Sequence, residues 1–334
     1  MALFAFPRKD PQVLRGLIDG VLETSVVGSF TKLGYEARRR MFDWEDLDEL
    51  RMDGKVVIVT GANSGLGLLT ATRLASMGAS IRIVVRNLER GEAAKADIAA
   101  AGNGDVTVYI ADLSSMASVR SVAAQIRDRE PRIDVLIHNA GGLFAERKES
   151  VDGHELTFAT MVLGPFLLTH QLVPLLDATP GARVLWVASG GMYTQPLDVD
   201  ELEMGPEDYR GPIAYARAKR AQVVLSEEWA KRLRDAGVAV HAMHPGWADT
   251  PGLEVGLPAF RTLIGPLLRT PDEGADTIVW LSSATESGRT TGKFWLDRAP
   301  RSTEKLVRAH ATPEERAELW ALCERLTAEP TTPG

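Results

Sequence analysis

The sequence predicts an α/β protein built on a doubly wound parallel sheet, and three observations carry that prediction. Apolar, β-branched runs alternate with segments of helical spacing from residue 54 to about 300. The first run ends in a glycine-rich turn, Thr60-Gly61-Ala62-Asn63-Ser64-Gly65-Leu66-Gly67, which opens directly into a Leu/Ala-rich segment. No linker divides this stretch. Strand and helix in such alternation dictate parallel strands, right-handed crossovers and helices on both faces of the sheet.

Composition narrows the function classes. The 334 residues are 45% hydrophobic and 25% charged, enough to bury a substantial core. A net charge of −7, with no basic block apart from Arg38-Arg39-Arg40, argues against a nucleic-acid partner. Cys323 is the only cysteine, so no disulfide, no cysteine cluster and no metal site is expected, and a reducing cytoplasmic setting fits. No uninterrupted apolar run approaches about 18 residues, and the first seven residues lack the basic start of a signal peptide.

The first 52 residues form an extension ahead of a single domain over 53–334. Val13, Leu14, Leu17, Ile18, Val21 and Leu22 recur at helical spacing, with Arg15, Asp19 and Glu23 off that stripe, which predicts an amphipathic helix over 11–23. Its stripe is expected to pack on the main domain or on a second copy in a homo-oligomer. The alternative is peripheral contact with a membrane surface, which the weak basicity of the polar face disfavours. Arg38 to Arg40 and the acidic stretch 43–50 read as a charged linker or surface helix.

Within the domain, strands are predicted over 55–59, 80–85, 106–110, 133–138, 183–188 and 238–243, with a candidate seventh over 292–296. Helices are predicted over 68–75, 89–101, 115–129, 154–177, 213–235 and 272–283. At the first turn, glycines let the backbone approach a pyrophosphate while the amides and positive dipole of the next helix receive its charge. Gly61, Asn63, Ser64, Gly65, Leu66 and Gly67 are therefore the expected diphosphate seat; a merely glycine-rich turn is the alternative reading. The second strand ends in Val85-Arg86-Asn87. An acidic residue there would repel a 2′-phosphate, whereas Arg86 can pair with one, which points to NADP over NAD. Asp112 and Leu113, just past the third strand, are placed to meet the adenine, although Asp112 could instead cap the next helix with Ser114.

Three further features sit where ligands bind in open α/β sheets, at the carboxyl edge. His138-Asn139-Ala140-Gly141-Gly142 ends the fourth strand; Asn139 can lock neighbouring strands, Ala140 and Gly141 can admit a cofactor, and His138 reads as structural. Ser189 ends the fifth strand and can hydrogen-bond a substrate oxygen. Tyr215 and Lys219 lie four apart on one helix and so share a face. A free phenol titrates near pH ~10, and a neighbouring cation would lower that value toward useful acid/base work.

Taken together, the glycine turn, Asn139-Ala140-Gly141, Ser189, Tyr215-Ala216-Arg217-Ala218-Lys219 and His244-Pro245-Gly246, in this order, resemble the short-chain dehydrogenase/reductase superfamily over residues 54 to about 300. Strings such as Ser189-Gly190-Gly191-Met192-Tyr193-Thr194-Gln195 and Asp297-Arg298-Ala299-Pro300-Arg301-Ser302-Thr303 are similar to one branch of it. In that branch the extension, with Lys32-Leu33-Gly34-Tyr35-Glu36, is matched too. The resemblance implies a Rossmann-like fold and hydride transfer between NADP(H) and a small-molecule carbonyl or alcohol. It makes Tyr215 the proton donor, Lys219 its partner and a ribose ligand, and Ser189 the group that orients the carbonyl. Asn139 becomes structural, Pro245 and Gly246 line the cofactor, and Thr250 meets the nicotinamide carboxamide. One position departs from the pattern: Met161 stands where the superfamily usually carries an Asn that holds a proton-relaying water. A thioether cannot make the amide's hydrogen bonds. Hence a non-catalytic NADP(H)-binding protein is the rival reading. Met192, Tyr193, Leu197, Trp247, Leu253, Leu257, Phe260 and Leu263 are expected over the pocket, an apolar lining suited to a lipophilic aldehyde or ketone.

Overall fold

The structure, a computed structural model, describes residues 11–250, 258–305 and 310–329. Eight strands form one sheet: β1 Val56–Thr60, β2 Ser80–Val85, β3 Val106–Ile110, β4 Val135–His138, β5 Arg183–Val187, β6 Ala239–Met243, β7 Lys293–Leu296 and β8 Ala299–Arg301. Their order is β3-β2-β1-β4-β5-β6-β7-β8. The seven predicted strands all pair in parallel, and only β8 runs antiparallel, to β7. The unpredicted β8 follows a tight turn in which Asp297 and Arg298 take φ of 55° and 54°. Left-handed pairs of this kind usually announce themselves as Asn-Gly, and Asp-Arg gives no such signal.

Helices cover both faces. In chain order they are α1 Pro11–Thr24, α2 Val26–Phe30, α3 Lys32–Phe42, α4 Gly65–Ser76, α5 Leu88–Ala101, α6 Met116–Arg129, α7 Leu156–Asp177, α8 Gly211–Arg232, α9 Pro258–Ile264, α10 Pro271–Ser283 and α11 Pro313–Thr327. Because side chains alternate along a strand, Val57 and Val59 of β1 pack with α4 and α10 on one face, while Ile58 packs with α6 and α7 on the other. α7 is long and apolar enough to cross a membrane by length and composition, yet most of it is buried in this second layer. A π segment, Ala159–Leu163, widens it near its start. The unpredicted α11 opens with a capping box, Thr312 with Glu315, and packs Trp320 and buried Cys323 into the same layer.

The extension differs from its sequence reading in two ways. Arg38, expected on a surface helix or linker, is fully buried and pairs with Asp19 at 2.7 Å, Glu23 at 3.0 Å and Asp297 at 2.7 Å. Those contacts turn the polar face of α1 inward, so Leu14, Leu17, Ile18 and Val21 of the apolar stripe are exposed rather than packed on the domain. A buried guanidinium without carboxylates costs several kcal/mol, so Arg38 holds Asp19 and Glu23 of α1 toward the domain, and the opposite, apolar face of the helix is the one turned outward.

Candidate active site

At the carboxyl edge of the sheet lies a cavity of about 1330 Å³. It is larger than the roughly 300–1,000 Å³ of an ordinary small-ligand pocket and has room for a dinucleotide beside a second molecule. Its wall contains Gly61, Asn63, Ser64, Gly65, Leu66, Gly67, Arg86, Leu113, Asn139, Ala140, Gly141, Ser189, Tyr215, Lys219, Pro245, Gly246 and Thr250. Asp112 is not part of that wall. Its carboxylate accepts from Ser114 N at 2.9 Å and Oγ at 2.7 Å, and Ser115 caps α6 in its place.

The glycine turn between β1 and α4 is built for close backbone approach. Gly61 has φ of 68°, and a Cβ at Gly67 would lie 2.3 Å from Asn139 Nδ2 and 2.7 Å from the Gly61 carbonyl oxygen. Asn139 donates to the carbonyls of Thr60 at 3.0 Å and Gly61 at 3.3 Å, while Thr60 Oγ1 accepts from the backbone N–H groups of Asn139 and Ala140, both at 3.0 Å. The end of β4 thereby fixes the turn. Ser64 occupies the N-cap of α4 without capping it through its side chain, which leaves the first N–H groups of the helix for an anion. Past β2, Arg86 is joined in the wall by Arg90. The spacing of four in Arg86-Asn87-Leu88-Glu89-Arg90 was the available signal for this second cation. A phosphorylated dinucleotide fits these donors.

At the other end, the Ser189 hydroxyl acts on the Tyr215 phenol, easing its ionisation against burial, and Ser189 Oγ accepts from Gly191 N at 3.2 Å. Lys219 Nζ lies 5.5 Å from the centre of the Tyr215 ring and donates to the Val187 carbonyl at 2.7 Å. Both ionisable groups are desolvated. Burial raises the Tyr215 phenol and brings the Lys219 ammonium down to about 7. Burial thus dominates at Tyr215, and the group that opposes it is the Ser189 hydroxyl rather than the expected lysine. His138 donates to or accepts from Thr169 Oγ1 at 2.7 Å, and burial lowers it to about 3.

The extension also reaches this end. Phe30 stands over Gly190, where a Cβ would meet its ring at 2.8 Å, and packs edge-on against Trp247 at 5.7 Å. Its carbonyl accepts from Trp247 N at 2.8 Å and Arg269 Nε at 3.2 Å. Thr24, Ser302 and Lys305 complete the rim. Of the residues expected over the pocket, Tyr193 and Trp247 line it, Met192 and Leu197 are buried in the core, and Leu263 is 81% exposed. Leu253, Leu257 and the side chain of Phe260 lie outside the described residues.

A sequence profile described as short chain dehydrogenase matches residues 55–255. The branch indicated by the finer strings is matched as well. Dehydrogenase/reductase SDR family member 12 of Bos taurus is 39% identical over 302 residues, covering 89% of this chain and 93% of that protein. Retinol dehydrogenase 13 of Homo sapiens is 36% identical, with 82% of this chain and 84% of that protein covered. Among solved structures, the Pseudomonas aeruginosa RhlG/NADP active-site complex superimposes with a TM-score of 0.61 at 27% identity, covering 73% of this chain and 94% of that one.

Proposed function

The chain belongs to the short-chain dehydrogenase family, and from that premise we propose that it is an NADP(H)-dependent oxidoreductase interconverting a lipophilic carbonyl compound and its alcohol. The observation that carries the reading is the meeting of Ser189, Tyr215 and Lys219 in one wall of a cavity whose other end is the β1–α4 turn. Bound there, a reduced nicotinamide would supply hydride to the carbonyl carbon. Ser189 orients the carbonyl oxygen, and Tyr215 gives that oxygen its proton. Burial keeps the phenol protonated at neutral pH, which suits a general acid in the reductive direction. Lys219 holds the ribose hydroxyls and, while charged, stabilises the phenolate left behind. Arg86 and Arg90 support NADP over NAD, as does the NADP bound in the RhlG complex. Phe30, Tyr193 and Trp247 support an apolar substrate, in keeping with relatives named for retinol.

Met161, fully buried beside Gly141, is the one observation that favours a non-catalytic NADP(H)-binding protein. Tyr215→Phe separates the two readings when NADPH oxidation is followed against aldehydes, ketones and quinones. The enzyme reading expects turnover to fall by about 10³-fold with the NADPH dissociation constant within about threefold of wild type. Unchanged turnover overturns Tyr215 as the acid, and wild-type protein silent on every substrate favours the rival.

A further inference from the structure

Lys219 is tied to the π segment of α7 by a side chain outside the Tyr215–Lys219 pair and the serine motif. Gln222, one turn further along α8 and fully buried, accepts from Lys219 Nζ through Oε1 at 3.0 Å and donates through Nε2 to the Met161 carbonyl at 2.6 Å. Only one orientation of the amide satisfies both neighbours, because an ammonium has no lone pair and a carbonyl has no proton. We propose that Gln222 is the positioning residue for Lys219, standing in for the amide that residue 161 lacks; this deepens the reductase reading and rests on it.

Lys219 has three N–H donors. The Val187 carbonyl takes one and Gln222 a second, while the side chain still lines the cavity, where a third is available to ribose hydroxyls. With Gln222 in place the ammonium is fixed from β5 and from α7 at once, through Val187 O directly and through Met161 O at one remove. The connection uses the backbone of residue 161, so the thioether does not break it. Met161 instead fills apolar space next to Gly141, where an added Cβ would come 3.3 Å from its sulfur.

The arrangement also biases protonation. Gln222 Oε1 can only accept, so it favours the charged amine against the burial that lowers it. The other ionisable groups on surrounding elements include Tyr215 and buried Arg220 on α8 itself, Tyr193 on the turn after β5, His138 at the end of β4 and His244 after β6, both histidines being held neutral by burial. β5 and the π segment present backbone carbonyls, and among the described residues no carboxylate contributes to the Lys219 environment. Loss of the Gln222 oxygen therefore moves deprotonation of Lys219 to lower pH, and a carboxylate in its place moves it higher.

The test measures NADPH dissociation constants by fluorescence and reductive kcat, both from pH 5.5 to 9.5, in wild type, Gln222→Leu, Gln222→Glu and Gln222→Leu/Met161→Asn. In Gln222→Leu, kcat at pH 7 is expected to drop about tenfold and the alkaline limb of both profiles to move down by at least about half a pH unit. In Gln222→Glu the limb moves up, and in the double variant it returns most of the way to wild type. A purely structural role would lower stability and leave the limbs in place, so unmoved limbs in folded single variants overturn the proposal. If Gln222→Leu does not fold, the isosteric Gln222→Glu decides alone. Should wild type bind NADPH yet reduce nothing, the reductase reading fails while the binding profile still judges Gln222.

Discussion

The two ends of the cavity are constructed on different principles. The nucleotide end is assembled from near neighbours in sequence: residues 60–67 turn β1 into α4, residues 85–90 turn β2 into α5, and one long-range residue, Asn139, pins the first turn. The substrate end is assembled from segments hundreds of residues apart. Phe30 comes from the extension, Trp247 from the loop after β6, and Ser302 and Lys305 from beyond β8. What joins them is charge. Asp297, fully buried in the β7–β8 turn, is bonded to Arg38 at 2.7 Å and to Arg269 at 2.6 Å and 3.0 Å. Arg269 also donates to the carbonyls of Ser29, Phe30 and Pro245. The proposed diphosphate seat is thus encoded locally, and the proposed substrate wall depends on an ionic closure between distant segments of the chain.

The sharpest attempt to break this division is Asp297→Ala. It leaves two buried guanidinium groups short of a carboxylate, a loss of about 3–5 kcal/mol and a fall in Tm on the order of 10 °C by thermal denaturation. Carbonyl turnover is expected to suffer more than NADPH binding; equal loss of both would merge the two ends into one unit. Gly67→Val attacks the other end, since the new side chain collides with Asn139 and the Gly61 carbonyl. The NADPH dissociation constant should rise by about 30-fold or more, read by fluorescence titration, with the Arg38 network untouched. Arg86→Ala is milder, weakening NADPH about tenfold and leaving NADH unchanged; equal effects on both cofactors would remove the 2′-phosphate role. Smallest is Phe30→Leu, for which KM of an apolar carbonyl substrate rises about threefold with NADPH affinity constant. A shift in NADPH affinity as large as that in KM would show that the extension serves both ends.

The same contrast explains what could be read in advance. The glycine turn, Arg86, Ser189, Tyr215 and Lys219 are short motifs at predictable places on a predictable sheet, so their spacing suffices. Arg38 was unreadable because a run of three arginines is ordinarily solvated, and its partners Asp19, Glu23 and Asp297 share no pattern with it. The apolar stripe of α1 predicts the helix, which is present, but helical spacing records which residues share a face and not which face an ion pair turns inward, so packing of the stripe on its own domain is the part that fails. Asp112 illustrates competition at short range: Ser114 lies two residues away and claims the carboxylate. Gln222 stands in the string Lys219-Arg220-Ala221-Gln222-Val223-Val224-Leu225, which is similar to one branch of the family, but its contact could not be read there, because its partner is a backbone carbonyl in a π segment that local sequence does not announce. The cap of α11, by contrast, was present as Thr312-Pro313-Glu314-Glu315 and simply lay past the end of the strand and helix alternation.

The bond between Arg38 and Asp297 spans 259 residues, and this sets an order of events during synthesis. At about 5–20 residues per second, Asp297 is made roughly 13–50 seconds after Arg38. Through that interval Arg38 has only Asp19 and Glu23 of α1 as carboxylate partners. The extension therefore reaches its final packing only once the β7–β8 turn has been made.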